Sequence, residues 1–459
     1  MATKTRKFSL WTFADRFEGD KVVWIILLML CLISIVCMFS STSRLLKGDT
    51  TRLDLVREQA ILVGAGLVVI IIMYNIRNIK VFRWCSMVFG FSVPFLLLLL
   101  LDLRIRIPNV IEAIYVNGAY RILQVGSLQI HVFEVVKVAM VLYLAWALDA
   151  FRKGELKGAR LSPLWKKILY IYAPFLIIFV MILPGGNSSA VFIGGIMFLV
   201  ILLGGGNFKD LLVLFTAGIL IIGACYGIYK ASDGEYMERI GTAISRVSEP
   251  DWEEMFLDSR PGTDEYQKAL DKLRQPYSAK IAIHEGGLFG KGPGQSTQRY
   301  VVPDISEDYM YSFIIEEYGL FGGILVICLY VSLLARGSII VRNCGKDLYA
   351  KLSVAGLCLL ISGQAFLHMF VNADIGPMTG QTLPMISHGA SAFLCFCVAF
   401  GVILSFSRIA ARRIEKETRE AEPLMETRDE VSATLDDLDA FESGKFDNDD
   451  EIQETQGNY

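Results

Sequence analysis

The sequence has few of the residues that build metal centres and covalent cross-links. Its 459 residues include only four histidines, which are too far apart to form the close-set pairs of a zinc motif. They are His131, His284, His368 and His388. Nine cysteines are present, but none lies in the long polar segment between residues 230 and 310. These absences argue against a disulfide framework and against a protein-held transition metal.

The sequence also has too few polar residues for an ordinary soluble protein. Hydrophobic residues make up 53% of it and charged residues only 20%. A helix that crosses a bilayer needs about 20 mostly apolar residues, and ten runs qualify. They lie at about 21–40, 59–75, 82–101, 132–149, 168–184, 188–205, 210–229, 311–334, 352–371 and 389–407. The sequence therefore predicts an all-α polytopic membrane protein of about ten transmembrane helices, with a large loop at 230–310 between spans seven and eight.

Lysine and arginine accumulate in the N-terminal arm (1–20), in the loops after spans two, four and eight, and after span ten. Cytoplasmic loops are enriched in these residues, so both termini are predicted to be cytoplasmic and the 230–310 loop periplasmic. No cleavable signal peptide is evident, because the first apolar run is long enough to span the bilayer. The membrane domain is thus predicted at 21–407. Residues 408–459 follow as an acidic tail with few aromatic residues, which predicts disorder.

The stretch from Gln275 to Gly319 combines several features of a functional site. It contains five glycines between Gly286 and Gly294, then a cluster of carboxylates, and it leads directly into an apolar span. Glycines permit close approach of the backbone to a ligand, and a polar loop beside a bilayer faces water or a polar substrate. The alternative is a solvated loop whose acids cap the following helix. The carboxylates are Asp304, Glu307 and Asp308.

Two further patterns place charge next to the membrane. Arg121 follows a turn signal at Asn117-Gly118 in an amphipathic loop, where it either anchors the loop at the interface or clamps phosphate oxygens. Glu134 and Lys137 lie three residues apart on one face of span four. Ionisable residues inside a span are costly. The pair therefore either lines a polar cavity or forms an internal ion pair that fixes helix packing.

The segment between spans nine and ten is rich in Gly, Pro, Ser and Thr. From Gly376 into the last span it contains no Asp, Glu, Lys or Arg. Non-helical backbone at membrane depth occurs where it is buried in protein or lines a wet cavity. The segment is therefore predicted to be a broken, re-entrant turn that could form a wall of a substrate site.

Three motifs of the sequence resemble those of the SEDS proteins (shape, elongation, division and sporulation), the FtsW and RodA group of peptidoglycan polymerases. They are Asn117-Gly118 with Arg121, Glu134 and Lys137; Ile281 to Ile283 with Gly286 to Gly292, Pro303, Asp308 and Glu316 to Gly319; and Met378 to Gly389. The resemblance covers spans one to ten, and the run from Thr379 to Pro384, with the acidic tail, is more like FtsW than RodA. Where the family commonly has His-Thr-Asp, this chain has Ser306-Glu307-Asp308.

The resemblance implies a peptidoglycan glycosyltransferase that polymerises lipid II into β-1,4 glycan strands at the periplasmic face of the bacterial inner membrane, for septal wall synthesis. It implies Asp308 as the catalytic base and, as substrate-binding residues, Arg121, Glu134, Lys137, Lys291 and Ser387. No tightly bound cofactor is expected, although Mg²⁺ could bridge the diphosphate and a carboxylate.

Expected partners are lipid II, a class B penicillin-binding protein transpeptidase and other division proteins, and no nucleic acid. Two other functions remain open at this point, a lipid II flippase and an elongation-type, RodA-like polymerase. A solute transporter would show inverted repeats with broken spans in both halves, and the sequence shows no such repeat.

Overall fold

The computed structural model describes most of the chain, and its helices follow the apolar runs. The residues described are 18–41, 52–108, 110–116, 119–126, 128–157, 161–206, short stretches between 212 and 230, 252–302, 305–376 and 379–442. The helices are α1 (Lys21–Ser41), α2 (Arg52–Asn75), α3 (Ile79–Phe89), α4 (Ser92–Asp102), α5 (Val132–Lys153), α6 (Pro163–Lys167), α7 (Ala173–Ile182), α8 (Asn187–Leu203), α9 (Trp252–Asp258), α10 (Asp264–Gly286), α11 (Met310–Asn343), α12 (Leu348–Asn372) and α13 (Ala390–Glu442).

Within the described residues, seven helical segments are long and apolar enough to cross a membrane. They are α1, α2, α3 with α4, α6 with α7, α11, α12 and the first part of α13. The predicted spans at α5 and α8 are also helical, although α5 carries charged side chains and α8 has only 17 residues. The predicted seventh span, 210–229, lies largely outside the described residues. The prediction of a helical, polytopic membrane protein is confirmed.

The amphipathic loop between α4 and α5 folds into a four-stranded antiparallel sheet, which the sequence analysis did not predict. Its strands β1 (Arg106–Ile107), β2 (Ile111–Val116), β3 (Ala119–Val125) and β4 (Leu128–His131) pair in sequence order. Strands β2 and β3 are rich in Ile, Val and Tyr, which favour extended structure. The residues between them, Asn117-Gly118, lie outside the described part of the chain.

A break divides α11 into two parts at Gly319, whose φ of 69° and ψ of −172° are not helical. The glycine-rich loop after α10 supplies hydrogen bonds at this break. Leu320 N donates to Gly287 O over 2.9 Å, and Lys291 N donates to Glu316 O over 2.9 Å. Backbone groups in or near a membrane must be paired within the protein. The loop therefore allows the helix to break without leaving these groups exposed.

Two glycines make this contact between loop and helix possible. A Cβ at Gly319 would lie 2.3 Å from the carbonyl oxygen of Leu288, and a Cβ at Gly290 would lie 2.2 Å from that of Glu317. Both glycines also have positive φ, at 69° and 81°. Glycine is required at both positions because any side chain would collide with backbone atoms. The part of α11 after the break, 320–343, is long enough to cross a bilayer by itself.

Helix α12 packs against α5, α8 and α11. Small residues bring these helices close together: a Cβ at Gly356 of α12 would lie 2.6 Å from a methyl group of Val141 in α5 and 2.9 Å from one of Val200 in α8. The polar side chains of α12 are consequently enclosed within the helix bundle, where they need partners from neighbouring elements.

The chain divides into two units, Met1–Ala410 and Ala411–Tyr459. In the second unit, residues up to Glu442 are helical, whereas the sequence predicts that the tail at 408–459 is disordered. Ion pairs at helical spacing stabilise the helix here. They join Arg413 to Glu417, Lys416 to Glu420 and Arg419 to Glu415. Residues 443–459 lie outside the described part of the chain.

Candidate active site

Asp308 lies in the turn at 305–309 that leads into α11, where it is half-buried while the neighbouring Glu307 is exposed. It lines a small pocket together with residues of α12 and of the segment that follows α12. The lining residues are Asp308, Tyr309, His368, Val371, Thr379, Gly380 and Gln381. A Cβ at Gly380 would lie 3.9 Å from Asp308 Oδ2. The predicted base therefore faces a pocket, as a group that takes a proton from a bound hydroxyl must. Asp304 lies outside the described residues.

Two buried side chains hold the turn that carries Asp308 by hydrogen bonds to its backbone. Asn372 Nδ2 donates to the backbone carbonyl of Asp308 over 3.0 Å, and Ser387 Oγ donates to that of Glu307 over 2.8 Å. Ser387 Oγ in turn accepts a hydrogen bond from Leu383 N over 2.9 Å. Ser387, predicted to bind substrate, is thus engaged with the backbone in this structure and positions the turn.

Lys137 is fully buried and connects α5 to the pocket. Its Nζ donates to Glu134 Oε1 over 2.6 Å, to Gln364 Oε1 over 2.6 Å and to Gln381 Oε1 over 3.1 Å. Glu134 and Lys137 therefore form the internal ion pair that was one of the two predicted alternatives. Because Gln381 also lines the Asp308 pocket, this pair belongs to the polar wall of the same site.

Two carboxylates, Glu134 and Asp308, lie near the pocket and are possible ligands for a cation. Glu134 Oε2 is buried and accepts no hydrogen bond from the described residues. No group of three or more metal-ligating His, Cys, Asp or Glu side chains occurs in the part of the chain that the structure describes. Mg²⁺ is usually held by one or two carboxylates together with substrate phosphates. Among the described residues that line the pocket Asp308 is the carboxylate, and it could contact a cation that arrives with a diphosphate.

Arg121 projects from β3 towards the start of α8. Its Nε donates to the carbonyl of Gly185 over 3.2 Å. A Cβ at Gly186 would lie 3.9 Å from Arg121 Nη2 and 3.6 Å from Ser189 Oγ, and Ser189 Oγ accepts a hydrogen bond from Gln381 Nε2 over 3.0 Å. The guanidinium thus lies beside residues that contact the pocket wall, at a helix N-terminus, where negative charge is favoured.

The charge near Arg121 is not increased by the neighbouring histidine. Burial lowers the pKa of His131, and the nearby cations Arg121 and Lys137 lower it further, whereas Glu134 opposes the shift. His131 is therefore neutral at neutral pH, and its backbone N–H donates to Ser391 Oγ over 3.1 Å.

Lys291 takes part in a different cluster of side chains. Its Nζ donates to Thr297 Oγ1 over 2.8 Å, to Glu316 Oε1 over 2.9 Å and to Glu285. Burial alone would lower the pKa of Lys291, but the hydrogen bonds with Glu285 and Glu316 outweigh burial and raise it. Lys291 is therefore charged and neutralised by two carboxylates. It ties the glycine-rich loop to α11, and its binding of substrate stays a prediction.

The sequence of the chain matches that of a known protein family. The model of the FtsW, RodA and SpoVE family, described as cell cycle protein, matches residues 20–412. The chain belongs to this family. Among its relatives is the probable peptidoglycan glycosyltransferase FtsW of Coxiella burnetii, which is 31% identical over 326 residues, 68% of this chain and 76% of that protein. Stage V sporulation protein E of Bacillus subtilis is 28% identical over 404 residues, 85% of this chain and 97% of that protein.

Solved structures of the family share its fold. A chain from a peptidoglycan synthase complex, described as structurally coordinating polymerization and crosslinking, superposes with a TM-score of 0.58 and 19% identity, covering 85% of this chain and 98% of that one. The rod shape determining protein RodA of Thermus thermophilus gives a TM-score of 0.51 with 19% identity, covering 85% and 97%. The predicted resemblance to the SEDS family is confirmed.

Several polar residues of the site were not identified from the sequence of this FtsW/RodA/SpoVE family member. Gln364, His368 and Asn372 all lie on α12 and are fully buried, and Gln381 follows α12. The first three recur at intervals of four residues and therefore share one face of the helix. Polar residues at helical spacing inside a predicted span are a signal of an internal polar site, and this signal could have identified them.

Proposed function

We propose that the protein is a peptidoglycan glycosyltransferase that polymerises lipid II into β-1,4 glycan strands. The observation that carries the proposal is the half-buried Asp308, which lines a pocket in a chain of the FtsW/RodA/SpoVE fold. The proposal is supported by relatives named probable peptidoglycan glycosyltransferase FtsW, from Coxiella burnetii and from Thioalkalivibrio sulfidiphilus.

The proposed reaction is a sugar transfer with inversion. The C4 hydroxyl of an acceptor N-acetylglucosamine attacks C1 of the N-acetylmuramic acid at the end of the growing chain, and undecaprenyl diphosphate leaves. Asp308 takes the proton from the attacking hydroxyl as general base. Asn372 and Ser387 support this role, because they bind the backbone of the turn and fix its position. The Asp308 side chain is not used in these contacts and lines the pocket.

The departing diphosphate develops negative charge that the site must stabilise. Arg121, beside the start of α8, is suited to contact phosphate oxygens. Lys137 is buried behind Gln381 and contributes positive potential to the pocket wall. Mg²⁺, if bound with the diphosphate, would supply further charge neutralisation, with Asp308 as the protein carboxylate that could contact it.

We assign the reaction to septal wall synthesis in division, because FtsW is the name carried by most of the similar curated proteins described above and the Thr379 to Pro384 run is of the division type. The pocket is proposed to open to the periplasm. The partner is proposed to be a single-span class B transpeptidase, since a structural neighbour comes from a complex that coordinates polymerization with crosslinking.

Small residues often mediate contacts between membrane helices, but three glycines of α11 and α12 are used inside the protein. A Cβ at Gly323 would lie 2.9 Å from the side chain of Ile315, and the sites at Gly319 and Gly356 are closed by the loop and by α5 and α8. A partner helix must therefore bind the bundle through other residues.

The decisive experiment uses purified protein and the Asp308→Asn variant, each incubated with lipid II, alone and with a class B transpeptidase, and resolved for glycan polymer. Loss of a general base lowers the rate by about a hundredfold to ten-thousandfold. We expect polymer from the native chain and none detectable from Asp308→Asn, which should still fold. Glycan formation at the native rate by Asp308→Asn would exclude the assignment.

Glu307→Gln is the matched control, since it removes an adjacent but exposed carboxylate. It is expected to retain polymerisation. If Glu307→Gln is inactive while Asp308→Asn is active, the base is Glu307. If neither the native chain nor any variant forms polymer but fluorescent lipid II moves between leaflets, the protein is a flippase.

A further inference from the structure

One face of α12 carries three buried polar side chains, each of which is hydrogen-bonded to backbone that lines the pocket or adjoins it. Gln364 Nε2 donates to the carbonyl of Thr382 over 2.9 Å. His368 Nδ1 lies 2.7 Å from the carbonyl of Gln381, and Asn372 Nδ2 donates to the carbonyl of Asp308. The set Gln364, His368 and Asn372 is called the α12 ladder below.

The ladder joins both sides of the pocket to a single rigid helix. On one side it holds the backbone at 381–382, next to Gly380, which approaches Asp308. On the other side it holds the first turn of α11, because Asn372 Oδ1 accepts from Ser312 N over 2.9 Å and His368 Nε2 accepts from Tyr311 N over 3.4 Å. A displacement of either side would change the distance between the base and the opposite wall.

The partners of His368 determine its protonation state. The backbone N–H of Tyr311 can only donate, so His368 Nε2 must be unprotonated. The carbonyl of Gln381 can only accept, so Nδ1 must carry the hydrogen. A doubly protonated ring would direct an N–H at the N–H of Tyr311. The ladder therefore requires the neutral ring with hydrogen on Nδ1.

We propose that the α12 ladder positions the catalytic base, with His368 in the neutral Nδ1–H form as its central member. The inference rests on the proposed polymerase function and adds to it a positioning role for the whole ladder, whose member His368 also lines the pocket. Small displacements of reacting groups lower rates strongly, by about a hundredfold for about 1 Å. Loss of the ladder should therefore lower kcat and leave KM nearly unchanged.

The test compares His368→Leu, His368→Asn and His368→Gln in lipid II polymerisation, with kcat and KM measured separately. The asparagine amide occupies the place of Nδ1 and keeps the donation to Gln381, whereas glutamine reaches the place of Nε2 and keeps the contact to Tyr311. We expect a fall in kcat of about a hundredfold for His368→Leu. His368→Asn should retain more activity than His368→Gln, because the bond at 2.7 Å is the shorter of the two.

Ser362→Ala is the matched control, since Ser362 is buried on the same helix and donates to the carbonyl of Tyr330 over 3.1 Å. It should leave kcat unchanged. If His368→Leu does not fold, the order of the asparagine and glutamine variants decides the question. Native kcat in both of these variants would overturn the proposal, whereas failure of the native chain to polymerise lipid II would instead remove the proposed function.

A measurement without substrate tests the ladder independently. In protein labelled with ¹⁵N at its four histidines, the nitrogen shifts of the resonance that disappears in His368→Asn report its tautomer. We expect a neutral ring with hydrogen on Nδ1. A ring protonated on Nε2 at neutral pH would contradict the ladder whatever the enzyme activity.

Discussion

The surroundings of Lys137 and Lys291 show how a single residue type takes different roles in this protein. Lys137 is buried among two amide side chains and one carboxylate, and one of those amides lines the Asp308 pocket. Lys291 is bound by two carboxylates and a hydroxyl at the junction of the loop with α11. Lys137 therefore contributes to the electrostatic potential of the pocket, whereas the charge of Lys291 holds the glycine-rich loop against α11.

The raised pKa of Lys291 leads to a prediction about stability at high pH. A group whose pKa is higher in the folded state stabilises the fold below its ordinary value, here 10.5, and loses that contribution as the pH rises through the folded value. Lys291→Met should lower stability at neutral pH by about 1–3 kcal/mol, because buried Glu316 loses a charged partner. Thermal unfolding in detergent should show the difference from the native chain shrinking as the pH rises above the ordinary lysine value.

Lys280→Met is the control for this measurement. Lys280 pairs with Asp374 over 2.5 Å, but both side chains are about two-fifths exposed, at 43% and 39%. Exposed pairs contribute about 0–1 kcal/mol, so this variant should unfold close to the native temperature. A difference between Lys291→Met and the native chain that stays constant through the alkaline range would show that the lysine charge does not hold the loop.

At the scale of elements, the glycine-rich loop and the start of α11 form one unit. The fully buried Glu316 accepts hydrogen bonds from Ser296 Oγ at 2.5 Å and Thr297 N at 2.8 Å, besides the bond from Lys291. The adjacent Glu317 accepts from Gly294 N over 3.1 Å. Buried carboxylates are tolerated only with such partners. The loop thus binds the helix, and through it fixes the turn with Asp308 at the helix start.

Substitutions at two glycines of the loop can distinguish the cost of a steric clash from the cost of backbone strain. Gly290 and Gly294 have similar φ values of 81° and 79°, but a Cβ at Gly290 would meet backbone oxygen at 2.2 Å whereas one at Gly294 would meet no described atom within 4 Å. Gly294→Ala should therefore cost only the strain of the left-handed conformation, about 1–2 kcal/mol. Gly290→Ala should cost more and detach the loop from α11.

Yield of monodisperse protein and thermal midpoint in detergent measure both variants. We expect Gly290→Ala to be poorly recovered and inactive, and Gly294→Ala to be recovered with a moderately lowered midpoint. Equal midpoints for the two variants would mean that the contact between loop and helix does not contribute to stability.

At the scale of the whole molecule, ion pairs and hydrogen bonds gather the predicted cytoplasmic segments at one end of the bundle. Asp20, just before α1, pairs with Arg336 near the end of α11 over 2.7 Å. Arg408, in α13, donates to the carbonyl of Tyr74 at the end of α2 over 3.2 Å. At the opposite end of α1, Ser40 donates to Glu317, which lies in the short part of α11 between the turn with Asp308 and the break at Gly319. The site therefore lies at the end of the bundle away from the termini of the membrane domain.

This arrangement gives a prediction about the two faces of the membrane. Lysine and arginine favour the cytoplasmic side, and they are concentrated at the end of the bundle that carries Arg336 and Arg408. A reporter fused at Lys346 should therefore be cytoplasmic, and one fused at Asp264, at the start of α10, should be periplasmic. A cytoplasmic signal at Asp264 would place the Asp308 pocket on the face where no glycan strand is assembled.

The sequence by itself determined the features that depend on local composition. The apolar runs are long enough to predict the membrane helices, because a bilayer requires continuous apolar surface on a helix. The spacing of Glu134 and Lys137 was enough to predict that they share a helical face, but it left open whether they line a polar cavity or form an ion pair. The motif containing Asp308 located the turn before α11 and the predicted base.

Only the tertiary structure decided which polar residues meet. The contact of Lys291 with α11 and the α12 ladder both depend on pairings between separate segments. Lys137 and Gln364 are 227 positions apart, and Ser387 and Glu307 are 80 apart. The physical reason is that a buried polar group takes whichever partner the packing of the helices brings within about 3 Å. Local sequence can place a lysine or an amide within an apolar span, but the helix packing selects its partner.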